Sequence, residues 1–178
     1  MTRTHLLSVC LLSVIVTAAC APASRMAPRP PEATAVLLPT RGHEVRGTVQ
    51  FQRRGELVLV TGTITGLTPG PHGMHIHEKG NCTAPDASSA GPHFNPHGGP
   101  HGSLVDQGRH AGDLGNIVAD AAGVAEFSIE ATGITLSADH HGVVGRSVIV
   151  HASADDMVSQ PAGKSGARVA CGLISKAR

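Results

Sequence analysis

The sequence is poor in aromatic and charged side chains. It contains no Trp, no Tyr and three Phe among 178 residues, and 15% of the residues are charged. Lys and Arg do not cluster anywhere, so the positive patch that nucleic-acid binding requires is missing. With 40% hydrophobic residues, the chain is also not a disordered charged tail. We therefore predict a globular domain that does not bind nucleic acid and has a core of Val, Ile and Leu.

Long apolar runs are absent after the first 20 residues. Residues 6–19 are apolar but fewer than the ~20 that a membrane-spanning helix needs. A basic residue before this run and small residues at its end are typical of a secretory signal peptide, predicted over 1–19. Cys20 resembles the lipidated cysteine of a bacterial lipobox, with later cleavage as the alternative. The Pro/Ala-rich residues 20–40 predict a tether, which leaves 41–178 as the folded domain.

Cysteines are few. Export would leave Cys20, Cys82 and Cys171, an odd number. In an oxidising compartment, Cys82 and Cys171 are most simply a disulfide, and two soft metal ligands are the alternative. These features predict export to a bacterial periplasm or cell envelope, with a membrane tether if Cys20 is lipidated.

The remainder predicts strands joined by loops. Seven runs show period-two alternation or β-branched enrichment: VRGTVQFQ, ELVLVTGTI, HGMHIH, NIVAD, VAEFSIEA, RSVIVHA and ARVACGLI. Gly and Pro clusters separate them, which favours an antiparallel sandwich or barrel. Residues 80–113 lack this pattern and form a loop longer than most in compact domains. Because the loop contains four His, we expect a metal to order it.

The sequence is rich in histidine: ten of its 12 His lie between residues 72 and 151. His75 and His77 are two apart on a predicted strand, so they share a face and can bind one ion. His151 ends another strand and is available to this pair. The long loop offers a closed set of four ligands that suits zinc, namely His93, His101, His110 and Asp113. An all-imidazole site suits copper, which indicates two metals of different character.

Five motifs carry a family resemblance. They are His75–His77, Gly91–Pro96 (GPHFNP), Arg109–Asn116 (RHAGDLGN), Gly145–His151 (GRSVIVH) and Arg168–Gly172 (RVACG). In this order they resemble the motifs of copper/zinc superoxide dismutase, and the chain looks most like the exported bacterial members. The resemblance implies an all-β fold, an eight-stranded antiparallel Greek-key barrel with long metal-binding loops.

The resemblance also implies roles for individual residues. Copper would be bound by His75, His77, His93 and His151, and zinc by His93, His101, His110 and Asp113, with His93 bridging the two metals. His97 is the alternative to His101, because the local HGGP string begins there. Asp155 would hydrogen-bond ligands of both metals, and Cys82 and Cys171 would form the disulfide. Arg168 would guide the anion, with Lys79 or Lys164 adding to the local field.

The function implied is dismutation of superoxide to O2 and H2O2 by alternate reduction and oxidation of copper, with a structural zinc. The main alternative is a non-catalytic copper- and zinc-binding envelope lipoprotein of the same fold. A copper-only dismutase and an immunoglobulin-like adhesion module are less favoured, because the zinc ligands are present and the core Trp is absent. The oligomeric state stays open between monomer and homodimer. We expect His72 to make a structural hydrogen bond and His43, His140 and His141 to lie at the surface or in turns.

Overall fold

β-branched and apolar residues alternate with polar ones along most of the chain, and the strands follow this alternation. The computed structural model describes residues 29–177. Its elements are β1 (Ala33–Pro39), β2 (Arg46–Arg54), β3 (Leu57–Thr65), β4 (Gly70–His77), a 3-10 helix (Ser88–Ala90), β5 (Asp113–Ala119), β6 (Ala125–Ala131), β7 (Ser147–His151) and β8 (Arg168–Lys176). All seven predicted strands are present, so the all-β prediction is confirmed.

The strands form one antiparallel sheet in the order β5-β4-β7-β8-β1-β2-β3-β6. Its two outer strands, β5 and β6, pack against each other and nearly close the barrel. β4, β5 and β6 are neighbours around the barrel, and β7 returns to lie beside β4, which is a Greek-key arrangement. The predicted eight-stranded Greek-key barrel is thus confirmed, and its topology brings the ends of β4, β5 and β7 together.

The predicted domain boundary is wrong at its N-terminal side. Residues 33–39, assigned to the tether, form β1, which pairs with β2 and β8 in the middle of the sheet. Ala33, Ala35 and Leu37 point into the core and are at most 1% exposed. Two of these three core contacts are alanine, so the segment has the composition of a linker although it alternates like a strand. The folded domain begins by residue 33, not at residue 41.

The core is mainly aliphatic, as predicted, and lies inside the barrel. Its largest fully buried side chains include Phe51, Leu37, Ile64, Ile76 and Ile117. A smaller cluster of Ala87, Ala90, Ile149 and Cys171 packs the long loop against β7 and β8. The Cys82–Cys171 disulfide, predicted as the simplest pairing, joins the same loop to β8.

Backbone hydrogen bonds join β4 to two segments of the long loop between β4 and β5. Ile76 N–H donates to the Gly112 carbonyl (2.8 Å), Gly112 N–H to Phe94 (2.9 Å) and Phe94 N–H back to Ile76 (2.8 Å). A Cβ on Gly112 would collide with the Ile76 carbonyl oxygen, so this close approach requires glycine. The three joined segments carry His75, His77, His93, His110 and Asp113.

The predicted signal peptide over 1–19 and the lipidation of Cys20 lie outside the described residues. Among residues 29–177, no helix has the length and apolar character needed to cross a bilayer.

Candidate metal centre

Buried histidines meet at one end of the barrel. We call six of them the interior histidines: His75, His77, His93, His101, His110 and His151. Each is at most 7% exposed, although most histidines in proteins lie at least partly at the surface. They and Asp113 form two groups, and within each group the possible ligand atoms all lie within 4.8 Å of one another. The first group is His75, His77, His93 and His151, and the second is His93, His101, His110 and Asp113. These are the two predicted sets, and His93 belongs to both.

In the first set, one ring nitrogen of each histidine is held by the protein. His75 Nε2 lies 2.8 Å from Asp155 Oδ2, and His77 Nδ1 donates to the Gly91 carbonyl at 2.8 Å. His151 Nδ1 donates to the Gly166 carbonyl at 3.2 Å. A nitrogen that donates its proton leaves the other nitrogen of a neutral ring with a free lone pair. These contacts therefore determine the tautomer of each ring and the direction in which its other nitrogen points.

The remaining nitrogens of the first set have no partner. They are His75 Nδ1, His77 Nε2, His93 Nε2 and His151 Nε2, all buried without a hydrogen bond. A buried polar atom left unsatisfied costs about 1–3 kcal/mol, and native structures contain few of them. Four such atoms facing one point indicate a positively charged group that accepts four lone pairs. Imidazole nitrogens are ligands that copper and zinc both favour.

The second set converges on one carboxylate oxygen. Three ring nitrogens lie close to Asp113 Oδ1: His93 Nδ1 at 2.8 Å, His101 Nδ1 at 3.0 Å and His110 Nδ1 at 3.3 Å. The His101 contact is short but lacks hydrogen-bond geometry, and His101 Nδ1 has no other partner. Asp113 Oδ2 accepts a hydrogen bond from Gly102 N–H, which holds the carboxylate in place. Three imidazoles and one carboxylate in a closed, buried site suit zinc.

Asp155 joins the two sets. Its Oδ2 accepts from His75 Nε2, and its Oδ1 lies 2.9 Å from His101 Nε2. Asn116 holds the backbone of Asp155 through a reciprocal pair: its side-chain amide donates to the Asp155 carbonyl and accepts from the Asp155 N–H. The contacts predicted for Asp155 are therefore present. A carboxylate in this position orients one imidazole of each set.

Burial lowers the pKa of three histidines of the first set, His77, His93 and His151. It lowers the pKa of His93 to about 4, although the hydrogen bond to Asp113 partly offsets the effect. Burial, together with the neighbouring His75, lowers the pKa of His151 to about 3. The pKa of His77 is also lowered well below its usual value, mainly by burial. At neutral pH these three rings are neutral, so the Nε2 atom of each, which has no hydrogen-bond partner, keeps a free lone pair.

The carboxylates show the opposite balance. Burial alone would raise the pKa of Asp113, but hydrogen bonds from His110 and His93 outweigh it and hold the pKa well below its usual value. Burial of Asp155 is likewise outweighed by hydrogen bonds with His75 and His101, which lower its pKa. Both carboxylates are therefore ionised and add negative charge to the metal centre.

A cavity of about 560 Å³ opens onto the first set. His77, His93 and His151 line it together with Arg168, Pro161 and Ala162. The Arg168 guanidinium donates to the Ala87 and Gly91 carbonyls, each at 2.7 Å. Among the described residues that line the cavity, Arg168 is the only Lys or Arg. Lys79 and Lys164, which the sequence offered as further sources of positive charge, do not line it.

The remaining histidines lie elsewhere. His72 makes the predicted structural contacts, with Nδ1 2.8 Å from the His151 carbonyl and Nε2 2.8 Å from that of Thr68. His97, the alternative to His101, is exposed and contacts His141 instead of Asp113. His140 lies in a surface turn beside His141, as expected.

Three supporting contacts were not predicted from the sequence. Gln160 accepts from the His101 N–H (2.7 Å) and donates to the His101 carbonyl (2.9 Å), which holds His101 from the loop between β7 and β8. The Gly91 carbonyl receives both His77 Nδ1 and Arg168. A Gln far along the chain and a backbone carbonyl carry no local sequence signal. Asn116 belongs to the RHAGDLGN motif, but its hydrogen bonds with Asp155 were not predicted.

Comparisons with known proteins agree with this geometry. The family model described as copper/zinc superoxide dismutase matches residues 45–174. "Superoxide dismutase [Cu-Zn] 2" of Mesembryanthemum crystallinum is 48% identical over 147 residues, which cover 79% of this chain and 93% of that protein. "Superoxide dismutase [Cu-Zn]" of Onchocerca volvulus is 44% identical over 146 residues, covering 76% of this chain and 91% of that protein.

Proposed function

This chain belongs to the copper/zinc superoxide dismutase family, and from that premise we propose which of its residues hold each metal and guide the substrate. It is a superoxide dismutase with copper and zinc as cofactors, and it converts two superoxide anions and two protons into O2 and H2O2. Copper, when bound, supplies one-electron chemistry by alternating between two oxidation states, whereas zinc has no redox activity.

The observation that carries the assignment is the position of His93 between the two sets. Its Nε2 has no partner and belongs with the free nitrogens of His75, His77 and His151. Its Nδ1 faces Asp113 Oδ1 at 2.8 Å. We therefore assign copper to His75, His77, His93 and His151, and zinc to His93, His101, His110 and Asp113. His93 offers one nitrogen to each metal.

Paired variants test the zinc assignment. His101→Gln removes a nitrogen from the buried set, whereas His97→Gln changes an exposed ring in the same loop. We expect zinc to be lost from His101→Gln and retained by His97→Gln, as measured by metal content after dialysis. Loss of zinc only from His97→Gln would overturn the assignment.

Arg168 is proposed to draw the anion into the cavity. Its carbonyl contacts use part of its donor capacity and hold the guanidinium beside His77 and His93. A fixed positive charge in a cleft raises the encounter rate of a small anion by about 10–10³, and the effect falls with ionic strength. Superoxide dismutase is an established example of such steering. His93 lines the same cavity, and we propose that its ring passes a proton taken from solvent to the peroxide product.

Arg168→Ala should lower the rate constant for superoxide about tenfold at low salt while copper content stays unchanged. Arg168→Lys keeps the charge and should recover part of the rate. The variant that loses the charge should also lose most of its dependence on ionic strength. An unchanged rate and unchanged salt dependence in Arg168→Ala would remove Arg168 from substrate guidance.

Superoxide consumption by the copper- and zinc-loaded protein tests the function directly. We expect turnover that disappears when a chelator removes copper and returns on reloading. Full copper occupancy without turnover would favour the non-catalytic lipoprotein. That alternative is not favoured, because it predicts loss of His93 or Arg168, and both residues are present.

We also propose that the protein is an exported bacterial envelope protein, anchored through lipidated Cys20. The signal-like residues 1–19 and the lipobox-like sequence before Cys20 support this. The Cys82–Cys171 disulfide adds support, because such bonds persist in oxidising compartments. In a bacterial host, Cys20→Ala should release the protein from the membrane fraction and abolish labelling by a fatty acid. Membrane association that survives the substitution would contradict the anchor.

We propose a homodimer whose interface lies on β1 and β8. Val36, Leu38 and Leu173 point outward from these neighbouring strands and are 62%, 60% and 49% exposed. A second copy of the same strip would bury these side chains. Leu173→Asp should weaken the dimer at least tenfold in sedimentation experiments, whereas Val105→Asp, in an exposed loop, should not. A wild-type monomer at high concentration would refute the interface.

A further inference from the structure

Three histidines lie together on the outer surface, separate from the metal centre. We call them the exterior histidines: His97, His140 and His141. Their ring centroids are 4.9 Å (His97–His141), 5.3 Å (His140–His141) and 6.3 Å (His97–His140) apart. They come from two loops that are more than 40 residues apart in sequence. Their proximity is therefore a product of the fold.

The two loops are hydrogen-bonded and hold the rings in position. Asn95 donates to the Gly99 carbonyl and accepts from its N–H, which closes the turn that carries His97. Asp139 accepts from the His141 N–H at 2.8 Å and from the Thr135 hydroxyl. A ligand pair on two such turns loses little conformational freedom on binding.

The contact between His97 and His141 joins their two Nε2 atoms at 2.9 Å. Two nitrogens that bind one ion at about 2.0–2.1 Å and at right angles to each other lie ~2.9 Å apart. Tetrahedral geometry would separate them by ~3.3 Å at the same bond length. The observed separation equals the length of an N–H···N hydrogen bond, and it is also the spacing of two adjacent positions of a square-planar ion, the geometry preferred by Cu(II). Copper(II) also has the highest affinity for such donors among the divalent ions of its row.

The charge around the exterior histidines favours a cation. The Asp139 carboxylate stays ionised, because the hydrogen bond from Thr135 and the contact with His141 lower its pKa. His140 Nε2 lies 3.0 Å from the Pro96 carbonyl, so this nitrogen carries the proton and Nδ1 keeps a lone pair. His140 also lines a cavity of about 370 Å³ together with Glu78 and His93.

We propose that His97 and His141 form an exterior binding site for Cu²⁺, with His140 beside it and water completing the coordination. The site is distinct from the assigned copper and zinc sites, since none of its three residues belongs to either set of interior ligands. It places a copper ion at the surface, beside His140, which lines the same cavity as His93.

The test adds Cu²⁺ to protein whose interior copper and zinc sites are already filled. Equilibrium dialysis should find one further copper equivalent. His97→Gln and His141→Gln should each weaken its binding at least ~10-fold, the loss expected when one of two ligands is removed. His43→Gln, a histidine outside the group, should bind as the wild type does. Interior copper and zinc content and the melting temperature should be the same in all variants.

Proton NMR gives a second measurement. The added Cu²⁺ should broaden the ring signals of His97 and His141 and leave that of His43 sharp. Absence of a further copper equivalent, or its persistence in the His97→Gln/His141→Gln double variant, would overturn the proposal. The short contact would then be an N–H···N hydrogen bond between two imidazoles.

Discussion

The interior and exterior histidines contain the same side chain in two different surroundings. The six interior rings are buried, and most of them have one nitrogen held by a carboxylate or a backbone carbonyl while the other faces the metal position. The exterior rings lie at the surface in two loops, and two of them contact each other directly. The affinity of an imidazole for a metal therefore depends on two features of its surroundings: the hydrogen bond at one ring nitrogen and the exclusion of water from the other. A buried lone pair that has no hydrogen-bond partner binds a cation most favourably.

The largest expected difference is between two variants, one that removes an interior histidine and one that removes an exterior histidine. His77→Ala deletes a free nitrogen and the contact with Gly91, so copper content should fall to background and superoxide turnover by at least ~10³. His141→Ala should leave interior copper and turnover unchanged. Metal analysis and a superoxide assay measure both. Equal losses in the two variants would break the distinction between the regions.

Lowering the pH should destabilise the metal-free protein through two interior histidines, His93 and His151. The pKa values of about 4 for His93 and about 3 for His151 lie below the unfolded value near 6.5. Between these values the unfolded chain binds protons that the native state does not, so stability falls as the pH falls. From pH 7 to pH 5 the free energy of unfolding should drop by about 2 kcal/mol for each ring.

Urea unfolding of the metal-free protein at the two pH values measures this change. The carboxylates Asp113 and Asp155 have lowered pKa values and contribute only below about pH 4, so they do not obscure the window. A His93→Gln/His151→Gln double variant should lose most of the dependence on pH. The same dependence on pH in the double variant and in the wild-type chain would contradict the burial argument.

Asp155→Asn tests the support behind the interior ligands. The amide cannot accept from both His75 and His101 as the carboxylate does, so the affinity for zinc should fall about 10–100-fold. Competition with a chromogenic chelator measures this affinity. Asp156→Asn is the matched control, because Asp156 is the exposed neighbour and contacts no metal ligand. If both variants bound zinc like the wild type, Asp155 would have no role in orienting the imidazoles.

Gly163→Ala should produce the smallest effect. Gly163 and Gly55 both have a φ of 63°, so alanine is strained by a similar amount at each, about 1 kcal/mol. A Cβ on Gly163 would meet Asp155 Oδ1 and lie 2.7 Å from His101 Nε2, whereas nothing lies within 4 Å of one on Gly55. Zinc affinity should fall about tenfold in Gly163→Ala, because displacing Asp155 weakens its hold on His101.

Gly55→Ala should lose stability without losing zinc. Melting temperatures and zinc affinities, measured on both variants, separate backbone strain from displacement of Asp155. The same zinc affinity in both would show that the space beside Asp155 does not matter.

The sequence predicted most strands because their own residues alternate, as in β2 and β3. It failed at β1, where Ala33 and Ala35 supply the core contacts and the composition resembles a linker. Alanine contributes little burial energy by itself, so β1 depends on its pairing with β2 and β8. The two groups of interior histidines were predictable because the motifs that carry them resemble those of the family and follow the same order.

The sequence by itself determined the residue types, the strand pattern, the export-like leader and the family to which the chain belongs. Tertiary structure decided that His75 and His101 share Asp155 and that Gln160 holds His101. It also decided that the exterior histidines meet across two loops. From the sequence, His140 and His141 were predicted to be surface or turn residues, and His97 was the alternative zinc ligand to His101. These contacts join residues far apart in the chain, and their distances depend on barrel register and loop hydrogen bonds, which local sequence patterns do not specify.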